Sequence, residues 1–375
     1  MSFFGPRSTS LGMGASSSST SNTQQQQSPV VSPQSETSGD TTLSNGPEDS
    51  VSDLAFSPTA DILSVASWDN KVRLYEVVNG VGQGRAIYDH QAPVLSTHWA
   101  PDGSKVASGG CDNTVRVYDL AAGQATQVGS HDAPVKAVRF VTVPGANNGS
   151  SILASASWDK TLKYWDLRSS QPIATVTLPD RAYSMDSAKT LLVVATAERH
   201  VVTIDLNNPQ TIFKRSESVL KWQTRCVACF PQGDGYALGS IEGRCSIQYM
   251  DPRVHAQKGF TFKCHRKAVT SPRSESLVYS VNSVSIHPGY GTLATAGADG
   301  CFNFWDMENR YRRMSSPDNG GPIVATAFNA SGSVFAYAIS YDWSKGYTQA
   351  GQYPNMIKFH AVLEDQVKPK PRIKR

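Results

Sequence analysis

Several things are missing from this chain of 375 residues, and each absence narrows its function. No run approaches 18 consecutive apolar residues, so no membrane-spanning helix is expected. The N-terminus lacks the basic-then-apolar order of a secretory signal. Cysteine is scarce, with six in the whole chain, scattered through strand-like runs. That usage fits free thiols in a reducing compartment rather than a disulfide framework. Cys226-Val227-Ala228-Cys229 is a lone CxxC without a second pair, and on a strand its thiols point to opposite faces. No Gly-rich loop opens a helix, and no Ser/His/Asp or Cys/His set can be assembled. No His/Cys/carboxylate group has metal spacing. The chain is therefore read as a non-enzyme without metal or cofactor.

What is present is a repeat. Ser67-Trp68-Asp69-Asn70 is followed by Arg73-Leu74-Tyr75-Glu76. The pattern returns at Gly110-Cys111-Asp112-Asn113, at Ser157-Trp158-Asp159-Lys160 and at Gly297-Ala298-Asp299-Gly300. Each time an aromatic lies six residues after the turn Asp: Tyr75, Tyr118, Trp165 and Trp305. Weaker copies occur at Thr196–Arg199, Ser240–Arg244 and Ser340–Trp343. Self-similarity at this period marks a propeller, whose blades bury their faces only by stacking. The expectation is an all-β, seven-bladed WD-repeat β-propeller over residues 49–363. A strand from about Thr41 to Ser44 should close the ring beside the last repeat, because an open edge invites aggregation. His90 and His131 precede inner strands and should bridge to the turn Asp of the same repeat.

The two ends differ from the ring. Residues 1–48 are rich in Ser, Thr and Gln and are expected to be disordered, because they cannot bury enough apolar surface to offset ordering. Residues 364–375 read as a basic tail ending Lys368-Pro369-Lys370-Pro371-Arg372-Ile373-Lys374-Arg375. It is either a solvated tail, an import signal or a phosphate contact.

Charge is local. The whole chain carries +4, and the stretch from Lys258 to Arg313 holds eight basic residues against four acids. A basic patch with aromatics suits RNA or an acidic peptide, or else it is a solvated face. Phe262, Lys267, Trp305, Arg310, Arg312 and Arg313 are the candidate RNA contacts. Gly243-Arg244 replaces the turn Asp, so Arg244 should reach the face built by the turns. Lys263 and Arg266 should lie near it, where the fifth blade hands over to the sixth. Trp68 and Trp158 should be partly exposed on that face, or packed against neighbouring blades. Ser271-Pro272 is a candidate phosphorylation site.

Longer strings are more specific than the repeat. They include Ser157-Trp158-Asp159-Lys160-Thr161-Leu162-Lys163, Ala237-Leu238-Gly239-Ser240-Ile241-Glu242-Gly243-Arg244, Phe260-Thr261-Phe262-Lys263-Cys264-His265-Arg266 and Ser340-Tyr341-Asp342-Trp343-Ser344-Lys345-Gly346. In these the chain, from about Asp49 onward, resembles the WD-repeat messenger-RNA export factors of the nuclear pore. The resemblance implies a non-enzymatic, monomeric adaptor that docks on a nucleoporin through a GLEBS-type helical hairpin. It implies contact with messenger RNA or ribonucleoprotein, and residence in the nucleus and at the pore. By the same resemblance the nucleoporin-binding residues are Arg244, Lys263, His265, Arg266, Trp68 and Trp158. A sister family, the mitotic-checkpoint WD-repeat proteins, shares the Ile-Glu-Gly-Arg and Cys-His-Arg strings, so a checkpoint scaffold is the alternative. A ubiquitin-ligase substrate receptor is a third reading, without a visible docking box.

Overall fold

The computed structural model describes residues 39–144, 151–169, 171–269 and 275–370. Ser271-Pro272, Arg273, residues 1–38 and the last five residues of the basic tail lie outside them. Seven four-stranded antiparallel sheets form the blades. Their first strands are Val51–Phe56, Val94–Trp99, Val135–Thr142, Ala182–Ala188, Thr224–Cys229, Val281–Ile286 and Ile323–Phe328. Each of these contacts the first strand of the next blade, so together they ring the axis.

Sequence chemistry changes outward along a blade. The second strand of the first blade, Ile62–Ser67, is buried at every position. The outer strand of the second blade, Gln124–Ser130, is mostly exposed. Apolar packing is organised by blade interface. Among the described residues the buried side chains fall into clusters that each bridge two adjacent blades, and every one of the seven interfaces has one. This is the packing of a repeat that cannot bury its faces alone.

The turn before each third strand needs a left-handed residue. Asn70, Asn113, Lys160, Gly243 and Gly300 all have φ between 61° and 75°. Asn and Gly enter that region at low cost, which explains why they recur there. The turn Asp then caps the next strand: Asp159 accepts from Thr161 N at 2.9 Å.

His90 and His131 do bridge to the turn of their own blade. His131 Nδ1 lies 2.8 Å from Asp159 Oδ2, and its Nε2 lies 2.7 Å from Ser155 Oγ. Trp165 Nε1 donates to the same hydroxyl at 2.7 Å. His90 repeats this with Asp112 and Ser108. The first blade has no such His. Arg73 takes over, with its guanidinium 2.6 Å from Asp69.

The ring closes by joining the chain ends. Thr41–Thr42 forms the outer strand of the seventh blade against Met356–Ala361. Leu43 N donates to Ile357 O, and its side chain is buried between the seventh and first blades. Asp40 fastens this seam through Tyr337 Oη at 2.8 Å and His360 Nδ1 at 2.7 Å.

Residues 364–370, read from sequence as the start of a free tail, instead lie on the ring. Glu364–Val367 is a short helix, Val367 is buried with the sixth and seventh blades, and Thr292 donates to its carbonyl.

A regular bulge lines the axis. In all seven blades the pairing of first to second strand skips the first strand's second residue. An extra residue in one strand is left without a ladder partner and re-aims its side chain.

Candidate functional site

The two ends of the ring differ. Loops between blades and the turns carrying the Asp positions share one end, here the turn face. The other end carries the remaining hairpins. Several exposed large apolar side chains lie on the turn face: Trp158 (37% exposed), Val219, Trp222 (57% exposed), Ile241, Leu277 and Tyr347. Exposed aromatics of this kind mark interaction surfaces.

The cations predicted near the fifth blade converge there. Arg244 opens the third strand, Arg244–Tyr249, and pairs in register with Lys263 at the end of Phe260–Lys263. Arg266 reaches back from the next loop, where its guanidinium donates to Glu242 O at 2.8 Å. Its Nε is buried and makes no hydrogen bond among the described residues. Arg244 Nε stands 3.8 Å from Glu242, a distant and half-exposed pair. Gly243 permits this crowding. Its φ is +61°, and a Cβ there would meet Cys264 O at 2.7 Å.

An apolar wall adjoins the cations. Ile241 N donates to Gln223 O at 3.1 Å, so the loop bearing Trp222 abuts the turn bearing Ile241. Neither Trp222 nor Val219 is picked out by the repeat pattern, because both sit in the variable loop between the fourth and fifth blades. A Trp flanked by Lys221 and Gln223, outside the repeat pattern, was the available signal.

His265 is not a surface residue. Its Nδ1 lies 2.8 Å from Asp299 and its Nε2 2.9 Å from Thr295 Oγ1, and its side chain is fully buried. It is the framework His of the sixth blade, and Trp305 donates its indole N–H to the same Thr295. Trp68 is half-buried, stacked on Trp343 of the seventh blade. Of the two predicted tryptophans only Trp158 belongs to the exposed set.

The residues expected to meet RNA divide. Phe262 and Trp305 touch, with ring centroids 4.7 Å apart, at the seam of the fifth and sixth blades. Arg310 lies over Phe260 at 4.9 Å and donates to Gln257 O. Arg312 is exposed and pairs in register with Trp305. These form one strip along the side of the ring. Lys267 does not join them. It sits on the turn face, bonded to Asp318 at 2.8 Å, and that hydrogen bond raises its pKa. Arg313 is turned to Asp365 O and Tyr311 Oη. Both charges are held at home, and the two side chains lie apart from the aromatic strip.

The cysteines offer little chemistry. Cys226 and Cys229 are buried in different interfaces. Burial pushes the Cys226 thiol up to about 12 and Cys229 well above its usual value, so neither supplies a thiolate.

Comparison with known proteins adds to this geometry. The "WD domain, G-beta repeat" family matches residues 40–76, 83–119, 124–166 and 257–306. The poly(A)+ RNA export protein of Schizosaccharomyces pombe is 54% identical over 335 residues, 89% of this chain and 93% of its own length. The mRNA export factor GLE2 of Chaetomium thermophilum is 46% identical, over 90% of this chain and 94% of its own. Protein Rae1 of Drosophila melanogaster is 42% identical, over 88% and 95%.

Proposed function

The chain belongs to the WD-repeat family of messenger-RNA export factors, and from that membership we propose that it is a non-enzymatic adaptor at the nuclear pore. Its turn face takes a GLEBS-type segment of a nucleoporin, an acidic helical hairpin. The strip of Phe262, Trp305, Arg310 and Arg312 contacts messenger RNA or ribonucleoprotein. The protein works as a monomeric ring in the nucleus and at the pore.

One observation carries this reading: Arg244, Lys263 and Arg266 converge at the Glu242–Gly243 turn beside exposed Ile241 and Trp222. Cations next to apolar anchors suit an amphipathic helix with acidic residues, and Arg can grip carboxylates bidentately.

The test is capture of the intact chain by immobilised GLEBS-type nucleoporin segment, against the similar segment of a checkpoint kinase. Nucleoporin capture that Arg244→Glu abolishes upholds the reading. Capture by the kinase segment alone favours the checkpoint scaffold instead.

A further inference from the structure

A cavity of about 290 Å³ runs along the axis of the ring. At its turn-face end the bulged residues of all seven blades line it, and those of three consecutive blades are Lys136, Tyr183 and Arg225. The two cations thus stand on either side of a phenol, on one arc of the wall.

The carboxylates in the cavity are engaged elsewhere. Asp53 accepts from Ser96 Oγ at 2.9 Å, Thr97 N at 3.1 Å and Leu54 N at 3.0 Å. Asp186 accepts from Arg139 Nε at 3.2 Å and Cys229 N at 2.7 Å. Arg225 gives one N–H to Asp342 O at 3.0 Å, its one hydrogen bond among the described residues. No hydrogen bond or ion pair involves the Lys136 ammonium among the described residues. Lys136, Arg139 and Arg225 against Asp53 and Asp186 leave the cavity one positive charge in excess.

We propose that the turn-face end of the axial cavity is a binding site for a small phosphate-type oxoanion, held by Lys136 and Arg225 with Tyr183 between them. Lys136 and Arg225 are half-buried in the cavity wall; a partly desolvated cation without a bonded counter-charge is costly, and an anion at this point offsets that cost. Burial lowers the Lys136 pKa, and Arg225 and Arg139 lower it further, against the pull of Asp53. The volume admits one tetrahedral oxoanion with its water. The positive excess disfavours a metal cation. A free orthophosphate and a phosphomonoester share the chemistry that would be recognised.

The full chain is titrated with orthophosphate and, separately, with phosphoserine, at ionic strength held constant with chloride. Saturable heat and a raised Tm beyond the chloride control are expected with orthophosphate. Lys136→Gln should weaken binding about tenfold or more, as loss of a charge-assisted hydrogen bond does. Lys136→Met should be more stable than the parent in chloride and should not respond to phosphate. Lys214→Gln, an exposed cation on the outer strand of the fourth blade, should bind as the parent does. Phosphoserine binding alongside orthophosphate would identify a site open to monoesters, and orthophosphate binding alone one for the free ion; either upholds the site. No phosphate effect beyond chloride, or an undiminished effect in both Lys136 variants, would overturn it.

Discussion

Trp68 of the first blade stacks on Trp343 of the seventh, with ring centroids 4.4 Å apart and planes inclined by 25°. Trp343 has a left-handed backbone, φ 60°, and its indole N–H is buried without a partner among the described residues. The pair lies at the seam between the seventh and first blades, the interface that also buries Leu43. Its first role is therefore to fasten that seam. A stacked pair contributes about 0.5–1.5 kcal/mol beyond area burial. In a double-mutant cycle on chemical unfolding, Trp68→Ala and Trp343→Ala should couple by that amount. Additive effects would show that the stack contributes nothing of its own.

Hairpin binding should depend on Trp222 more than on Trp68. Arg244→Glu should cost about 2–5 kcal/mol of nucleoporin-segment affinity, because it leaves a partner carboxylate unpaired. Trp222→Ala should cost about 2 kcal/mol or more if it is an anchor. Calorimetry with each variant checks this, with circular dichroism to confirm the fold. Equal affinity of parent and Arg244→Glu would remove the turn face from the interface.

RNA binding should follow the aromatic strip. Arg310→Glu with Arg312→Glu should weaken single-stranded RNA binding and flatten its salt dependence, by about 0.7 in log–log slope for each phosphate no longer neutralised. Lys267→Glu should leave both unchanged, since that lysine is paired with Asp318 at the ring's turn face. Fluorescence anisotropy over a salt series reads both quantities. A Lys267 effect as large as that of the double variant would contradict the strip.

Two histidines should move stability in opposite directions with pH. Burial opposes charge on His360, but Asp40 and Gln366 outweigh it and raise its pKa above 6.5. Its contribution is complete below 6.5 and is lost as pH climbs through the raised value. Asp40 is also opposed by burial, yet His360 and Tyr337 bring it below 3.8, so its share is lost only as pH falls through that lower value. His98 is the reverse case. Burial, with Arg139 beside it, drops its pKa to about 3. Its neutral form is required, and stability is lost as pH falls from 6.5 toward 3. In urea titrations, the gap between parent and His360→Gln should therefore shrink from pH 6 to pH 8.5. His98→Gln should lose less stability than the parent between pH 7 and pH 5. A gap that widens with rising pH would refute the Asp40–His360 latch.

Much of this was legible along the chain because it is local and repeated. The turn Asp, the left-handed Asn or Gly after it and the aromatic six residues on recur, and they fixed the blade count. His90 and His131 were readable for the same reason, since each acts within one repeat. The convergence of Arg244, Lys263 and Arg266 was also readable, because all three flank one turn. The fates of His265, Lys267 and Arg313 were not, nor was the partner on which Trp68 packs. Cys264-His265-Arg266 looks like a surface string, but the backbone turns at His265, φ 47°, and sends that side chain under the Asp299 turn. Lys267 finds Asp318 and Trp68 finds Trp343 only after distant blades are brought together. The Lys136–Tyr183–Arg225 arc likewise comes from three different blades, and Trp222 sits in a loop the repeat does not pattern. A repeat sequence specifies its own blade through short-range turns and alternation. Closing the ring decides which side chains from different blades meet, which charges are neutralised and which are left facing a cavity.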